Sequence, residues 1–259
     1  MAHQETLYDL AYRGKTSEVK TALVEDEALK TKTDRNERML IHWAALGGHD
    51  DLVRHLISLG SPVDPPDDTN MTPLILAASA GREKVVNTLL TEGANVNAKN
   101  VYGRSALQYA ASKNWKSICV ALLEKHADIN QTDERGATPL HRAASKGHIA
   151  VVKLLMEHEK DLIIDHRDAD GHTPLHLACE DGYDEVAKFL VKHGADVTMP
   201  NKKDKLPFEL GSHALAQSIL SMLTDYGSIE IMMDRMAKSR QRHTPDSAAS
   251  ISTRPLSRP

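Results

Sequence analysis

A short block of letters returns along this chain at a nearly constant interval. The clearest copies are ATPLHRAASKGH, which begins at Ala137, and TPLHLACED, which begins at Thr173. The slot that holds histidine in these copies falls at His42, Ile75, Gln108, His141 and His176, in steps of 33, 33, 33 and 35 residues. A fixed period of this size is typical of stacked repeats, in which each unit packs only against its neighbours. This period constrains the fold more strongly than any single motif does.

Most of the clear copies contain signals that start or end a helix. A threonine such as Thr72 is placed to cap the helix, and a proline follows it at the first helical position. A glycine such as Gly81 is placed to end that helix before a second apolar helix begins. The pattern T-P-L-H-x-A at this period is typical of ankyrin repeats. We therefore predict an all-α ankyrin-repeat solenoid of seven helix-turn-helix repeats joined by β-hairpin loops, with degenerate capping copies starting at Leu7 and Lys205.

The sequence divides into two unequal parts. Residues 1–227 are predicted to form the repeat domain, and residues 228–259 a C-terminal tail with a short helix followed by disordered sequence rich in Ser, Thr, Pro and Arg. The single 35-residue step predicts a slightly longer surface connection near Glu159–Leu162, which costs little stability.

Charge indicates the class of partner, and cysteine content indicates the cellular compartment. The net charge is −4, and the residues from Arg235 onward hold six basic side chains against one acidic side chain, so the preceding 234 residues carry −9. An acidic body favours a basic protein partner over nucleic acid. Two cysteines are too few for a disulfide framework, and the N-terminus lacks the pattern of a signal peptide. We expect a cytoplasmic and nuclear protein that contacts neither membranes nor nucleic acid and is a monomer.

Several side chains could in principle carry out chemistry. His176, Cys179, Glu180 and Asp181 lie within six positions and could form a hydrolytic or metal site. However, the histidine slot also accepts Ile75, and histidines from successive packed helices, about 8–10 Å apart, cannot share one zinc ion at about 2 Å. Cys179 falls in a slot that alanine fills in the other copies, so a small buried role is expected. We predict no catalytic residues, no metal and no cofactor, and hence no enzyme.

Binding residues are expected where the repeat frame leaves positions free, on a concave face and at the loop tips. Trp43 and Tyr109 are the strongest single candidates, because aromatic residues make up only 4% of the chain and often anchor interfaces. The predicted partner-binding residues are Asp34, Arg38, Trp43, Asp67, Asp68, Met71, Tyr102, Arg104, Tyr109, Lys113, Glu134, Arg142, Lys146, Asp170, His172, Leu177, Glu180 and Asp181.

Beyond the repeat, specific letters resemble the gankyrin family of seven-repeat chaperones of the proteasome regulatory particle. These letters are LAYRGKTSEVK, LIHWAALGGH, LQYAASKNW, LHRAASKGH and TPLHLACEDG, in the family's order and spacing over about residues 7–225. The resemblance implies a non-enzymatic assembly chaperone of the 19S base. Such a protein holds the C-terminal helical domain of one proteasomal AAA-ATPase subunit on its concave face.

The resemblance also implies secondary partners. Family members are described as binding a cyclin-dependent kinase, a ubiquitin ligase and the retinoblastoma protein, so a kinase regulator is the alternative function. Retinoblastoma binding rests on an L-x-C-x-E motif, in which Leu177 and Cys179 match but Asp181 replaces the glutamate. This departure puts that partner in doubt.

Overall fold

A computed structural model of the chain describes residues 5–158 and 160–225. Within these residues, helices of two layers alternate along the chain. The first layer contains α1 (Leu7–Arg13), α3 (Leu40–Gly47), α5 (Pro73–Ser79), α7 (Ala106–Ser112), α9 (Pro139–Ala144), α11 (Pro174–Glu180) and α13 (Pro207–Leu210). The second layer contains α2 (Thr16–Glu25), α4 (Asp50–Ser58), α6 (Glu83–Thr91), α8 (Lys116–Glu124), α10 (Ile149–Met156), α12 (Asp184–Lys192) and α14 (His213–Asp225). A 3-10 helix, Glu27–Lys30, follows α2.

The predicted caps start the first-layer helices. The Thr72 hydroxyl accepts a hydrogen bond from the Ile75 N–H, and proline follows at the first helical position. Thr138 and Thr173 cap α9 and α11 in the same way, and Ser105 caps α7. These bonds satisfy N–H groups that have no partner inside the helix.

Each first-layer helix packs on the next first-layer helix, and from α4 onward each second-layer helix packs on the next of its own layer. Alanine pairs such as Ala77/Ala78 and Ala110/Ala111 are fully buried in the first layer, whereas Val85, Leu89 and their equivalents fill the second. Because small side chains allow closer approach, the stack curves towards the first layer, which therefore lines a concave face. The all-helical ankyrin-like solenoid is confirmed.

The predicted β-hairpin loops are wrong in one respect, since the described residues contain no β-strand. The connections end in tight turns, which we call tips: residues 34–38, 67–71, 100–104, 133–137, 168–172 and 201–205. Each tip closes on itself, as in the bond from the Asp67 N–H to the Met71 carbonyl at 3.0 Å. Only one backbone bond joins it to the tip before it, for example Asp68 N–H to Asn36 carbonyl at 3.1 Å. A strand ladder needs a longer run of paired residues than this.

Two sequence predictions reach residues outside the described part. Glu159, in the predicted longer connection, is not described, although the backbone N–H of Ile163 in the same connection bonds to the Asn130 side chain at 2.8 Å. The predicted C-terminal tail, 228–259, lies wholly outside the described residues. No helix in the described ranges is long and apolar enough to cross a bilayer.

The turns between the two layers form a second edge of the stack. After α1, α3, α5 and α9 a glycine in the left-handed conformation turns the chain, and a long side chain from the next repeat covers it. These glycines are Gly14, Gly48, Gly81 and Gly147, covered in turn by His49, Arg82, Trp115 and Tyr183. Gly147 has φ +68°, and a Cβ added there would lie 2.3 Å from Cδ1 of the Tyr183 ring. Gly182 has φ +75°, but nothing lies within 4 Å of such a Cβ.

These two glycines allow backbone strain to be separated from packing. Gly182→Ala should lower the free energy of unfolding by about 1 kcal/mol, from left-handed strain alone. Gly147→Ala should lower it by about 2–3 kcal/mol, because the Tyr183 ring must also leave its place. Urea unfolding followed by circular dichroism measures both. Equal losses for the two variants would contradict the packing between repeats described above.

Candidate protein-interaction surface

The tips are held by a side chain at their first position. The turn residues, one at the start of each tip, are Asp34, Asp67, Asn100, Asp133, Asp168 and Asn201. One side-chain oxygen of each accepts hydrogen bonds from the backbone N–H groups two and four residues later. In Asp67, for example, Oδ1 accepts from Thr69 at 2.9 Å and from Met71 at 2.8 Å. Each turn is therefore rigid before any partner arrives.

In three of the six turns, the remaining polar atom of the turn side chain ties the tip to its own first-layer helix. The Trp43 indole N–H donates to Asp34 Oδ2 at 2.9 Å, and the Asn100 amide donates to the Tyr109 hydroxyl at 3.0 Å. The Arg142 guanidinium donates to Asp133 Oδ2. Three of the predicted binding residues, Trp43, Tyr109 and Arg142, are thus oriented by the tips.

Ion pairs cross from one repeat to the next beneath this surface. Arg38 Nε lies 2.8 Å from Asp67 Oδ2, and Arg104 Nε lies 3.8 Å from Asp133 Oδ2. Although burial alone would raise the pKa of Asp67, hydrogen bonds from Thr69 and Arg38 hold that pKa below its usual value. The Asp67 side chain is 0% exposed, so it supports the surface and does not itself reach a partner.

The predicted binding residues differ widely in exposure. The exposed ones are Asp68, Tyr102, Lys113, Glu134, Lys146, Asp170, Glu180 and Asp181. The half-buried ones are Asp34, Arg38, Trp43, Met71, Arg104, Tyr109, Arg142, His172 and Leu177, and Asp67 is buried. Tyr102 is 58% exposed, more than any other aromatic side chain among the large exposed hydrophobic residues of the described ranges.

An aromatic cluster occupies the N-terminal end of the concave face. The Arg38 guanidinium lies over the Trp43 ring, 5.1 Å from its centroid, and the Tyr12 ring meets Trp43 edge-on with centroids 6.1 Å apart. Sequence reasoning missed Tyr12, because it stands in the degenerate first copy at the slot of Ala45. An arginine and two aromatic rings in contact form the kind of group that anchors protein interfaces.

Charge changes sign along the concave face. The exposed Lys113 and Lys146 follow α7 and α9, whereas Glu180 and Asp181 lie at the end of α11. The acidic character of residues 1–234 is therefore not uniform where a partner would lie. A complementary partner has to present both signs of charge in a fixed order.

The three histidines of the repeated slot are buried connectors. The backbone N–H of Met39 donates to His42 Nδ1 at 3.0 Å, so the proton lies on Nε2, which donates to the Pro65 carbonyl at 2.9 Å. His141 and His176 bond in the same way to the carbonyls of His172 and Lys205. Gln108 reproduces both bonds with its amide, to Ser105 N–H and to the Ala137 carbonyl. The structural interpretation of these histidines is confirmed.

Burial also sets the acid–base properties of these groups and of the cysteines. Burial lowers the pKa of His141 and of His176 to about 4, although their backbone hydrogen bonds act in the opposite direction. Burial raises the pKa of Cys119 and of Cys179 to about 12, so neither sulfur is a ready nucleophile at neutral pH. Among the described residues, no group of three His, Cys, Asp or Glu side chains is placed to hold a metal ion. Because Cys179 is buried, only Leu177 and Asp181 of the three defined positions of the L-x-C-x-D segment are accessible; Glu180, between Cys179 and Asp181, is exposed as well.

The histidine pKa values predict a pH dependence of stability. The unfolded chain binds these protons near the ordinary pKa of 6.5 and the folded chain only near 4, so the free energy of unfolding falls as pH drops from about 6.5 to 4. His141→Gln should remove roughly 2 kcal/mol of that fall, because glutamine keeps both bonds, as Gln108 does, without titrating. Urea unfolding at pH 7 and pH 4.5 measures the difference. The control is His158→Gln at an exposed position, which should behave as the parent; no change for His141→Gln would contradict the assignment.

Comparison with known proteins agrees with this architecture. The family pattern "Ankyrin repeats (3 copies)" matches residues 7–100, 42–133 and 107–201. The crystal structure of the human ASB11 ankyrin repeat domain superposes with a TM-score of 0.76 at 26% identity, covering 84% of this chain and 97% of that domain.

Two curated relatives carry the same name. Over 65 residues the chain is 44% identical to the "26S proteasome non-ATPase regulatory subunit 10" of Rattus norvegicus, and 42% identical to that of Homo sapiens. Each match covers 25% of this chain, and 28% and 29% of the two relatives. The resemblance to the gankyrin family is thereby supported over a short stretch. With the repeat pattern matched from residue 7 to residue 201, the chain belongs to the ankyrin-repeat family.

Proposed function

We propose that this protein is a non-enzymatic scaffold that assists assembly of the proteasome regulatory particle. Its partner is the C-terminal domain of an AAA-ATPase subunit of the 19S base, bound along the concave face. The similarity to proteasome regulatory subunit 10 supports the proteasomal partner. The rigid concave face supports binding without catalysis, and a cytoplasmic and nuclear location follows from this role.

The observation that carries the proposal is the ordered set of side chains on this face. The Tyr12–Trp43–Arg38 cluster provides an anchor at one end, and the exposed Tyr102 projects from the third tip. Basic and then acidic side chains follow towards the C-terminal end. The turn residues already hold the tips in place. Binding a partner therefore costs little free energy for ordering the tips.

The count of seven repeats belongs to the same proposal. The described residues hold seven helix pairs, α1/α2 to α13/α14, and the first and last pairs depart furthest from the repeated pattern. We assign these two pairs as caps, since the terminal units of a solenoid lack one neighbour.

The two tryptophans of the chain provide a matched pair of variants. Trp43→Ala should weaken the partner by about 1–3 kcal/mol, and Tyr102→Ala by a similar amount, because each removes an aromatic anchor from the concave face. Trp115 is 41% exposed at the α7–α8 turn, at the opposite end of α7 from the tip, so Trp115→Ala should leave affinity unchanged. Isothermal titration with the purified ATPase C-terminal domain measures all three. A loss of affinity for Trp115→Ala alone would place the interface at the turns between the two layers and contradict the assignment to the concave face.

Capture from cell extract tests the identity of the partner. The full chain, immobilised, should retain ATPase-ring subunits of the proteasome, and the Trp43→Ala/Tyr102→Ala protein should retain them poorly. Recovery of a cyclin-dependent kinase without ATPase subunits would instead support the alternative function, a regulator of that kinase. Recovery of neither class would contradict both.

A further inference from the structure

The turns between the two layers carry a row of large side chains at one repeated position. Arg82, Trp115 and His148 stand at this position in three successive repeats, each just before a second-layer helix. The Arg82 Nε–H donates to the Leu46 carbonyl at 3.0 Å, and His148 Nε2 lies 3.1 Å from the Ser112 carbonyl. The backbone of the preceding repeat therefore holds these side chains in place.

Trp115 is at the centre of this row and stays accessible. Its ring covers Gly81, where an added Cβ would lie 2.7 Å from the ring atom Cε2, yet 41% of the residue is exposed. Because the ring rests on backbone, it loses little conformational freedom when a partner covers it. An exposed tryptophan held in this way is typical of the residues that anchor protein interfaces.

Basic side chains surround Trp115, although residues 1–234 as a whole are acidic. We call residues 82–84, 113–116 and 146–148 the basic edge; its exposed cations are Arg82, Lys84, Lys113, Lys116 and Lys146. Within the described part of the chain, none of these five forms an ion pair. The one carboxylate of the basic edge, Glu83, accepts a hydrogen bond from the Ser117 hydroxyl at 2.7 Å. The basic edge thus presents positive charge that the fold does not neutralise.

Two of these cations stand where helix formation disfavours them. Lys84 lies in the first turn of α6, and Lys116 is the first residue of α8. The N-terminal end of a helix carries partial positive charge, so acidic side chains stabilise it and basic side chains do not. Helices α4 and α12 follow this preference, with two acidic side chains each in the first turn. The placement of the two lysines is therefore unfavourable for folding, which indicates a role in binding.

Acidic turns bound the basic edge on both sides. Asp50 and Asp51 begin α4 one repeat before it, and Asp184 and Glu185 begin α12 one repeat after it. Packed helices lie about 8–10 Å apart, so the three turns of the basic edge span about 16–20 Å. An extended peptide of about six residues has this length. A long polyanion such as nucleic acid would run on into the acidic turns and be repelled there.

We propose that the basic edge binds a short acidic peptide segment of a partner protein, with an apolar side chain of that segment on the Trp115 ring. Carboxylates on either side of that apolar residue pair with Arg82, Lys84 and Lys116. This surface goes beyond the proposed function, because the α7–α8 turn lies at the opposite end of α7 from the tip. The concave face and the basic edge therefore receive different segments.

Fluorescence anisotropy with a defined peptide tests the proposal. The probe is a fluorescein-labelled peptide of seven residues, aspartates and glutamates with one central phenylalanine, and its affinity for the full chain should fall as salt is raised. Lys84→Glu/Lys116→Glu and Trp115→Ala should each weaken binding about tenfold, since they remove the charge and the anchor. Lys113 and Lys146 stay unchanged, because they are also predicted to face the partner on the concave face.

A matched control separates the basic edge from net charge. Lys125→Glu/Lys192→Glu makes the same change of charge at exposed positions at the C-terminal ends of α8 and α12. This protein should bind the peptide as the parent does. Equal weakening in both double variants would show that the peptide responds only to overall charge, which contradicts a defined site.

Urea unfolding separates a binding role from a structural one. Lys84→Glu/Lys116→Glu should unfold at the same or a higher urea concentration than the parent, because acidic residues suit the first turn of a helix. Weaker peptide binding together with undiminished stability supports the proposal. Unfolding at a lower urea concentration would assign the two lysines to the fold and contradict it.

The indole N–H signals in a proton–nitrogen NMR spectrum locate the bound peptide. The chain has two tryptophans, and the spectrum of the Trp115→Ala protein assigns them. The peptide should shift the Trp115 signal and leave the Trp43 signal in place. A shift of Trp43 alone would move the peptide to the concave face and overturn the proposal. Tighter binding of a fluorescein-labelled single-stranded oligonucleotide than of the peptide would overturn it as well, by assigning the basic edge to nucleic acid.

Discussion

The structure depends on buried polar side chains that bond to the backbone of the neighbouring repeat. His42, His141, His176 and Gln108 each accept from the start of their own helix and donate to a carbonyl in the connection that leads to the next. A backbone carbonyl buried without such a donor would cost about 1–3 kcal/mol. Where Ile75 fills the slot this bond is absent, so the stack tolerates the loss of one connector but uses it in four places.

The use of polar side-chain atoms inside the repeat frame also determines where a partner can bind. The turn residues, the capping threonines and the histidines all use their polar atoms inside the frame, which leaves the residues after the histidine slot and the exposed tips for recognition. Trp43 shows how the two roles meet, because its indole N–H is bonded to Asp34 while its ring stays partly accessible beside Arg38 and Tyr12. Rigid anchors of this kind increase affinity, because the conformational entropy of these side chains is already lost when the protein folds and not when the partner binds.

Much of this could be read from the sequence, because the period of 33 reports directly on a stack. The helix caps at Thr72 and Thr138 and the buried connectors at His141 and His176 follow from residue type and position. The burial of Asp67 could not be read, because it depends on Arg38 reaching across from the previous repeat. The role of Tyr12 was not predicted, because the degenerate first copy is hard to align with the others. The described residues contain no strands because the tips are too short to form a ladder of paired residues.

The protonation of the slot histidines tests the central claim most directly. Nitrogen-15 NMR of the imidazole rings distinguishes the two neutral tautomers from the charged form. If these histidines are connectors, His42, His141 and His176 will carry the neutral-state proton on Nε2, as the bonds to Nδ1 require, and His141 and His176 will remain neutral throughout pH 5.5–8. A proton on Nδ1, or titration near pH 6.5 with solvent-exposed rings, would contradict the account.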